Sequence, residues 1–234
     1  MEIEEISFSA PKLFEIAGFP ITNTFLMTLL VGGFVLVLFS YGLRKKSMLP
    51  GSLQNFLELI LENILNFIDN ITGDRKNTEE IFPLAATLFI VILFSNLLEL
   101  VPGLGVFHFL RSPSSDLNFT LGLSLSSMTA VHFFAVRKLG IVSYLKKYVS
   151  KNPIMSFVGA LEAIGEVTKA FSLAVRLFGN LFAGEVLLLV TSFLFSYFLP
   201  IPFLFLEVMV GFIQAMIFSS LIVIFYVTAI QASH

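Results

Sequence analysis

The stretch SLAVRLFGNLFAGEV, residues 172–186, lies in an apolar part of the chain that contains no proline between Pro153 and Pro200. A helix across this region would be about 65 Å long at about 1.5 Å per residue. The hydrocarbon core of a bilayer is only about 30 Å thick. Residues 202–231 give about 45 Å by the same arithmetic. The sequence therefore predicts two long, strongly tilted, antiparallel helices, 155–199 and 201–231, joined by a tight turn at LPIP, residues 199–202.

The composition of the whole chain agrees with a membrane protein. Of its 234 residues, 56% are hydrophobic and 13% are charged, which is more apolar than soluble domains. We predict an all-α integral membrane protein with a single membrane domain, residues 1–234. The absence of cysteine excludes disulfides and thiolate metal sites, and no cofactor or metal is predicted. The acidic start MEIEEIS shows no removable signal peptide.

Three further apolar runs, 24–43, 81–101 and 117–136, predict spanning helices, which makes about five membrane-embedded helices in all. Lys and Arg accumulate in short cytoplasmic loops. Ten of the fourteen Lys and Arg residues fall in three loops on one side: Arg44, Lys45, Lys46, Arg75, Lys76, Arg137, Lys138, Lys146, Lys147 and Lys151. This asymmetry predicts an outside N-terminus and a cytoplasmic C-terminus.

Residues 52–71 form an amphipathic pattern rather than a span. Apolar side chains recur at helical spacing, and five polar or acidic residues occupy the other face. The acidic charges argue against attraction to anionic lipid. Two arrangements remain open, a helix along the membrane surface and a helix packed on protein, and the sequence favours protein packing.

Ionisable residues recur along the first long helix. Glu162, Lys169 and Arg176 are spaced by seven, which keeps them on one slowly drifting stripe. Asn180 continues that face at four residues from Arg176. Glu185 follows Arg176 by nine residues, half a turn round, and projects from the opposite side. These are rows of polar groups in an apolar helix.

Polar groups also recur on two other predicted spans. Glu207 and Gln214 are seven residues apart on the last helix, and Asn96 and Glu99 are neighbours at i, i+3 on the second span. Charged groups at membrane depth cost about 2.5–3.5 kcal/mol or more. Several in one short chain indicate an aqueous pathway or a partner charge.

Some of these residues also have purely structural explanations. Lys169 and Glu162 could lie near the inner interface and extend to water. Asn96 and Gln214 could join helices by hydrogen bonds. Arg176 is the hardest to explain structurally, because it stays charged and has no acid three or four residues away. Glutamates can relay protons, whereas an arginine acts as a fixed charge.

From about residue 20 to its end, the chain resembles subunit a of the F-type ATP synthase, in a form closer to bacterial members than to mitochondrial ones. The most specific segments are EVTKAFSLAVRLFGNLFAGEVLL, 166–188, and FLEVMVGFIQAMIFSSLIVIFYVTAI, 205–230. NLLELVPG, 96–103, and SSDLNFTLGL, 114–123, support them. Many members of the family carry histidine at the position of residue 185 or 207, whereas this chain has glutamate at both.

The resemblance implies roles in ion translocation, and no catalytic residue, for the polar positions. Arg176 matches the arginine of the family motif and is implied to be a fixed countercharge. Four residues are implied to serve the outer half-channel or the ring interface: Asn180, Glu185, Glu207 and Gln214. The outer entrance is assigned to Asn96 and Glu99, and the inner side to Glu162, Lys169 and Ser172.

The resemblance also implies a mechanism and partners. Two offset half-channels would meet a rotating ring of small hairpin subunits, each with a membrane-embedded carboxylate. Peripheral-stalk subunits and the lipid bilayer are further implied partners. The implied location is the bacterial cytoplasmic (inner) membrane, and the choice between proton and sodium stays open.

Two other classes compete with this interpretation. An ion-coupled secondary transporter would show inverted repeats and matching broken helices, and no such repeat is evident. A non-transporting membrane scaffold would explain the surface helix but not Arg176. The chain has no G-x-x-x-x-G-K-[ST] loop, so we expect no bound nucleotide, no nucleic acid and no catalysis by this chain alone.

Overall fold

The computed structural model describes residues 12–16, 19–44, 51–98, 112–146, 148, 153–195 and 200–231. Two short antiparallel strands, β1 (Lys12–Ile16) and β2 (Phe19–Thr22), precede the helices. The helices are α1 (Asn23–Gly42), α2 (Ser52–Thr72), α3 (Arg75–Leu97), α4 (Leu117–Leu139), α5 (Ile141–Lys146), α6 (Pro153–Phe195) and α7 (Pro200–Gln231). A 3₁₀ turn, Pro113–Ser115, leads into α4.

Five of these helices, α1, α3, α4, α6 and α7, are long and apolar enough to cross a membrane. The predicted fold class, an all-α integral membrane protein, is confirmed. The short hairpin of β1 and β2 was not predicted. Its strands are too short and irregular in composition to show a period of two in the sequence.

A tight turn joins α2 to α3, and α3 begins before the apolar run that predicted it. Gly73 has a φ of 66°, and its N–H donates to the carbonyl of Asp69 at 2.9 Å, which ends α2. Glycine adopts this left-handed conformation at little cost. The helix α3 then begins at Arg75 rather than at residue 81, because its first turns are polar and the hydropathy pattern alone does not include them.

The amphipathic helix α2 packs on protein along one face. Leu57, Ile64 and Ile68 are buried. Gly42, at the end of α1, has Leu57 against it so closely that a larger residue would collide with that side chain. Phe56 and Glu62 remain exposed. The packing favours the second of the two arrangements that the sequence left open.

The helix α4 begins at a buried acidic cap. Asp116 is only 3% exposed. Its carboxylate accepts the backbone N–H of Asn118 at 2.9 Å and the hydroxyl of Thr24 at 2.7 Å. The first bond is a helix N-cap, and the second ties the start of α4 to α1.

The two long helices are 43 and 32 residues long, or about 65 Å and 48 Å at about 1.5 Å per residue. Along α6 and α7 the contacting residues follow in opposite order. In one region Asn180 meets Gln214 and Gly184 meets Glu207. The helices are therefore antiparallel there, and their tilt in a membrane stays a prediction.

Contacts between residues group the chain into two compact units. The first comprises residues up to Tyr41, Ile90–Gly122 and Ala174–Met216, and the second comprises Gly42–Phe89, Leu123–Leu173 and the chain from Ile217 onward. The single membrane domain, 1–234, stays a prediction. Each unit contains its own set of polar residues.

Candidate functional site

Arg176 lies on an exposed apolar face of the first unit. Its side chain is exposed, and its neighbour Val175 is 40% exposed. On α7, exposed apolar residues of the same unit include Met209 and Phe212. Within the part of the chain that the structure describes, Arg176 forms no salt bridge. A permanent charge at membrane depth is costly unless it is paired or reaches water.

Asn180 stands one turn beyond Arg176 and connects α6 to α7. Its amide Nδ2 donates to Oε1 of Gln214 at 2.8 Å. Gln214 is only 2% exposed, and its Nε2 has no hydrogen-bond partner among the described residues. Buried amide nitrogens are normally paired. This one can donate a hydrogen bond to a water molecule.

Asn96 joins the third helix to the same region. Its Nδ2 donates to the carbonyl of Gly211 at 3.0 Å, and a Cβ at position 211 would lie 3.0 Å from the Cβ of Asn96. Asn96 is 3% exposed, and its Oδ1 has no partner among the described residues. Gly211 is thus the residue that lets α3 and α7 approach closely enough for this hydrogen bond.

Glu207 is buried where the two long helices meet. It is 7% exposed, and its Oε1 lies against Gly184 of α6. A Cβ at position 184 would lie 3.1 Å from the carboxyl carbon Cδ and still closer to Oε1. The small residue therefore makes the space that this carboxylate occupies, and the two helices enclose a titratable group.

Glu185 follows Gly184 on the same helix and is half-buried. Its position fits the spacing argument, because a residue nine places from Arg176 cannot share the exposed face of that arginine. Arg176, Asn180, Glu185, Glu207, Gln214 and Asn96 all belong to the first unit. The structure brings three pairs together: Asn180 with Gln214, Asn96 with Gly211, and Glu207 with Gly184.

The proposed inner residues belong to the second unit. Glu162 and Lys169 are half-buried, and Ser172 is exposed. The ammonium of Lys169 lies 5.2 Å from the ring centre of Phe225, within the range of a cation–π contact. Lys169 is therefore held by α7 rather than extended freely to water. Glu99 lies outside the described residues.

Sequence reasoning missed the two glycines that shape the site. Gly184 and Gly211 stand inside long helices, where a glycine costs about 1 kcal/mol relative to alanine. That cost is a signal of close packing, although the sequence does not tell which side chain fills the space. Among the described residues, no cluster of three or more His, Asp or Glu side chains could hold a metal ion.

The polar residues of the first unit combine titratable carboxylates with hydrogen-bonded amides. Two carboxylates, two buried amides and one permanent cation lie in an otherwise apolar pair of helices with a third beside them. Carboxylates gain and lose protons, and amides and water can carry hydrogen bonds between them. An arginine cannot deprotonate in a protein, so Arg176 contributes a fixed positive charge to this set.

Comparisons with known proteins identify a family that covers most of the chain. The ATP synthase A chain family matches residues 25–227. ATP synthase subunit a of Legionella pneumophila (strain Corby) is 34% identical over 230 residues, which is 97% of this chain and 95% of that protein. ATP synthase subunit a of Moorella thermoacetica is 32% identical over 223 residues, covering 95% of this chain and 97% of the relative.

Proposed function

The chain belongs to the ATP synthase A chain family, and on that premise we propose that it is the proton-translocating stator subunit of an F-type ATP synthase. It is a multi-pass membrane protein. It is non-catalytic on its own and works in the bacterial inner membrane, with its N-terminus outside and its C-terminus in the cytoplasm. The distribution of Lys and Arg supports that orientation.

The observation that carries the proposal is the exposed Arg176 in an apolar face, at the arginine position of the family motif. Its partner is a ring of small hairpin subunits with a membrane-embedded carboxylate. Arg176 attracts each deprotonated carboxylate as it approaches. The same charge repels protons and so prevents them from crossing directly between the two half-channels.

The outer half-channel loads the proton. Asn96, at the buried end of α3, and Gln214, on α7, offer hydrogen-bonding groups along an otherwise apolar route. Glu185 and Glu207 relay the proton to the ring. A neutral ring carboxylate can then face lipid, because the cost of burying its charge has been removed.

The inner side receives the proton after the ring has turned. Glu162, Lys169 and Ser172 serve this side, and the membrane potential supplies about 2.3 kcal/mol per charge per 100 mV. Peripheral-stalk subunits hold the chain static while the ring moves. The chain binds no nucleotide, so ATP is made on other subunits.

Coupled ATP synthesis in reconstituted vesicles tests this function. We expect Arg176→Ala and Arg176→Lys to assemble and yet to lose synthesis under an imposed gradient. Lysine keeps a charge but not the geometry or the permanent protonation of the guanidinium. Arg137→Ala, at an exposed arginine of α4, is the matched control and should retain synthesis. Full synthesis by Arg176→Ala would contradict the proposal.

A further inference from the structure

Four side chains of the second unit form a closed ring of polar contacts. Nδ1 of His132 lies 2.6 Å from the hydroxyl of Tyr144, which lies 3.1 Å from the hydroxyl of Tyr148. Tyr148 donates to Oε2 of Glu166 at 2.6 Å. The ring closes where Nε2 of His132 lies 3.5 Å from that same oxygen.

The hydrogens of this ring determine where a proton can be stored. Tyr148 uses its single hydroxyl hydrogen on Glu166, so its oxygen accepts from Tyr144. Tyr144 has then used its own hydrogen and accepts from Nδ1–H of His132. Nδ1 therefore carries a hydrogen, and Nε2 is the nitrogen that gains or loses a proton beside the carboxylate of Glu166.

Tyr148 keeps its hydroxyl hydrogen in the working pH range. Burial raises the pKa of Tyr148 well above its ordinary value, and the hydrogen bond to Glu166 raises it further. Its hydroxyl therefore stays protonated and remains a donor. The backbone at Tyr148 is also fixed against α6, since a Cβ at Gly159 would lie 2.7 Å from the carbonyl carbon of Tyr148.

A small cavity lies against both His132 and Glu166. It has a volume of about 10 Å³, which is room for about one water molecule. Its walls include His132, Glu166 and Lys169, and α7 adds Phe225 and Thr228, which do not titrate. Lys169 is thus the other charged side chain at the cavity, and its ammonium lies over the ring of Phe225.

We propose that His132 and Glu166 together hold one exchangeable proton beside this cavity and pass it along the inner side of the ion path. The inference rests on the proposed function, which places Glu162 and Lys169 of this same unit on the inner side. The imidazole is suited to the task because its charge changes between about pH 5 and 8.

The proposed transfer is balanced at each step. A hydronium ion arriving in the cavity gives its proton to Nε2 of His132, which leaves water and an imidazolium–carboxylate pair. The imidazolium then gives the proton from Nε2 to a water on the inner side, which becomes a hydronium ion and leaves neutral imidazole and the Glu166 carboxylate. Tyr144 and Tyr148 keep their hydrogens throughout.

A second cluster of the same unit provides a matched control. Glu80 accepts a hydroxyl from Tyr226 at 2.6 Å and pairs with the ammonium of Lys138 at 3.3 Å. Like Glu166, this carboxylate contacts one tyrosine and one basic side chain. The basic side chain here is a lysine, and Glu80 does not line the cavity. Glu80→Gln therefore disturbs similar packing without the proposed proton site.

The test is ATP-driven proton pumping by the assembled ATP synthase in inverted vesicles, measured from about pH 6 to pH 9 and normalised to the amount of this chain. We expect Glu166→Gln and His132→Gln to lower the rate at least about threefold. The loss should stay below the ~100-fold typical of a positioned acid–base group, because water molecules can carry protons past His132 and Glu166. Glu166→Asp should retain more activity than Glu166→Gln.

The pH profile separates proton exchange from packing. In the wild type we expect the pumping rate to fall as rising pH deprotonates His132. Glu166→Gln should shift this fall to lower pH, because an imidazolium without its carboxylate releases its proton more readily. His132→Gln should remove that pH-dependent step, and Glu80→Gln should leave it in place. Wild-type rates and profiles in both variants, or the same profile change in Glu80→Gln, would overturn the inference. Loss of coupling by Arg176→Ala in parallel shows that the proposed function still stands in that case.

Discussion

Glu207 and Glu185 differ in their surroundings although both are carboxylates of the first unit. Glu207 is buried against Gly184, whereas Glu185 is half-buried one residue further along α6. We propose that both acids relay protons to the ring and share this task. Neither residue alone is therefore expected to be indispensable.

The first prediction concerns these two acids. An amide cannot relay a proton, so Glu185→Gln and Glu207→Gln should each slow proton pumping several-fold. This loss is smaller than the ~10²–10⁴-fold effect of a single general acid–base group, because the other acid remains. The double variant should be slower than either single one. The exposed Glu62→Gln on α2 is the control. A normal pumping rate in the double variant would remove both acids from the path.

At the scale of the helices, small residues decide how closely α6 and α7 approach. Gly184 accommodates Glu207, and Gly211 allows Asn96 to reach the backbone of α7. Close helix contacts through small residues are common in membranes, where dispersion and hydrogen bonds drive association. The polar pairs of the site therefore depend on glycines that carry no chemistry themselves.

The second prediction tests this dependence. Gly184→Ala should lower proton pumping about as strongly as Glu207→Gln, because the added methyl group displaces the carboxylate. Gly122→Ala in α4 is the matched control, since a Cβ there meets nothing within 4 Å. Pumping by both variants is compared at equal amounts of assembled complex. Equal, unchanged rates would show that Glu207 does not need this space.

Much of the helical organisation could be predicted from the sequence. The lack of proline between Pro153 and Pro200 indicated a helix too long to stand upright, and α6 indeed runs from Pro153 to Phe195. The early start of α3 was missed because hydropathy does not detect a polar first turn. The hairpin of β1 and β2 was missed because local pairing leaves little pattern in nine residues.

The candidate site was only partly accessible from the sequence. Spacing placed Arg176 and Asn180 on one face, but hydrogen bonds such as that between Asn180 and Gln214 join residues 34 positions apart. The ring of His132, Tyr144, Tyr148 and Glu166 was missed for the same reason. Its members come from three helices, α4, α5 and α6, and the segment between α5 and α6, and no periodicity links them.

At the scale of the whole molecule, five apolar helices and an asymmetric distribution of basic residues determine the proposed orientation. Arg137 and Lys138 end α4 in its last turn. Basic residues are retained on the cytoplasmic side, and they also suit the C-terminal end of a helix. An odd number of spans then places the two ends of the chain on opposite sides.

The third prediction tests this orientation. Single cysteines at Ser9 and Ser150 in this otherwise cysteine-free chain give two sites for a membrane-impermeant thiol reagent. In intact cells, position 9 should be labelled and position 150 protected. In inverted vesicles the pattern should reverse. Labelling of position 150 from outside, with position 9 protected, would invert the orientation.

The central claim is that the charge of Arg176 both attracts the ring carboxylate and prevents protons from crossing directly. Passive proton leak, in vesicles that contain the membrane sector without the catalytic head, tests it most directly. Arg176→Ala should raise the leak well above that of wild type, because the electrostatic barrier is removed. Arg137→Ala should leave it unchanged. A leak in Arg176→Ala no greater than in wild type would contradict this account.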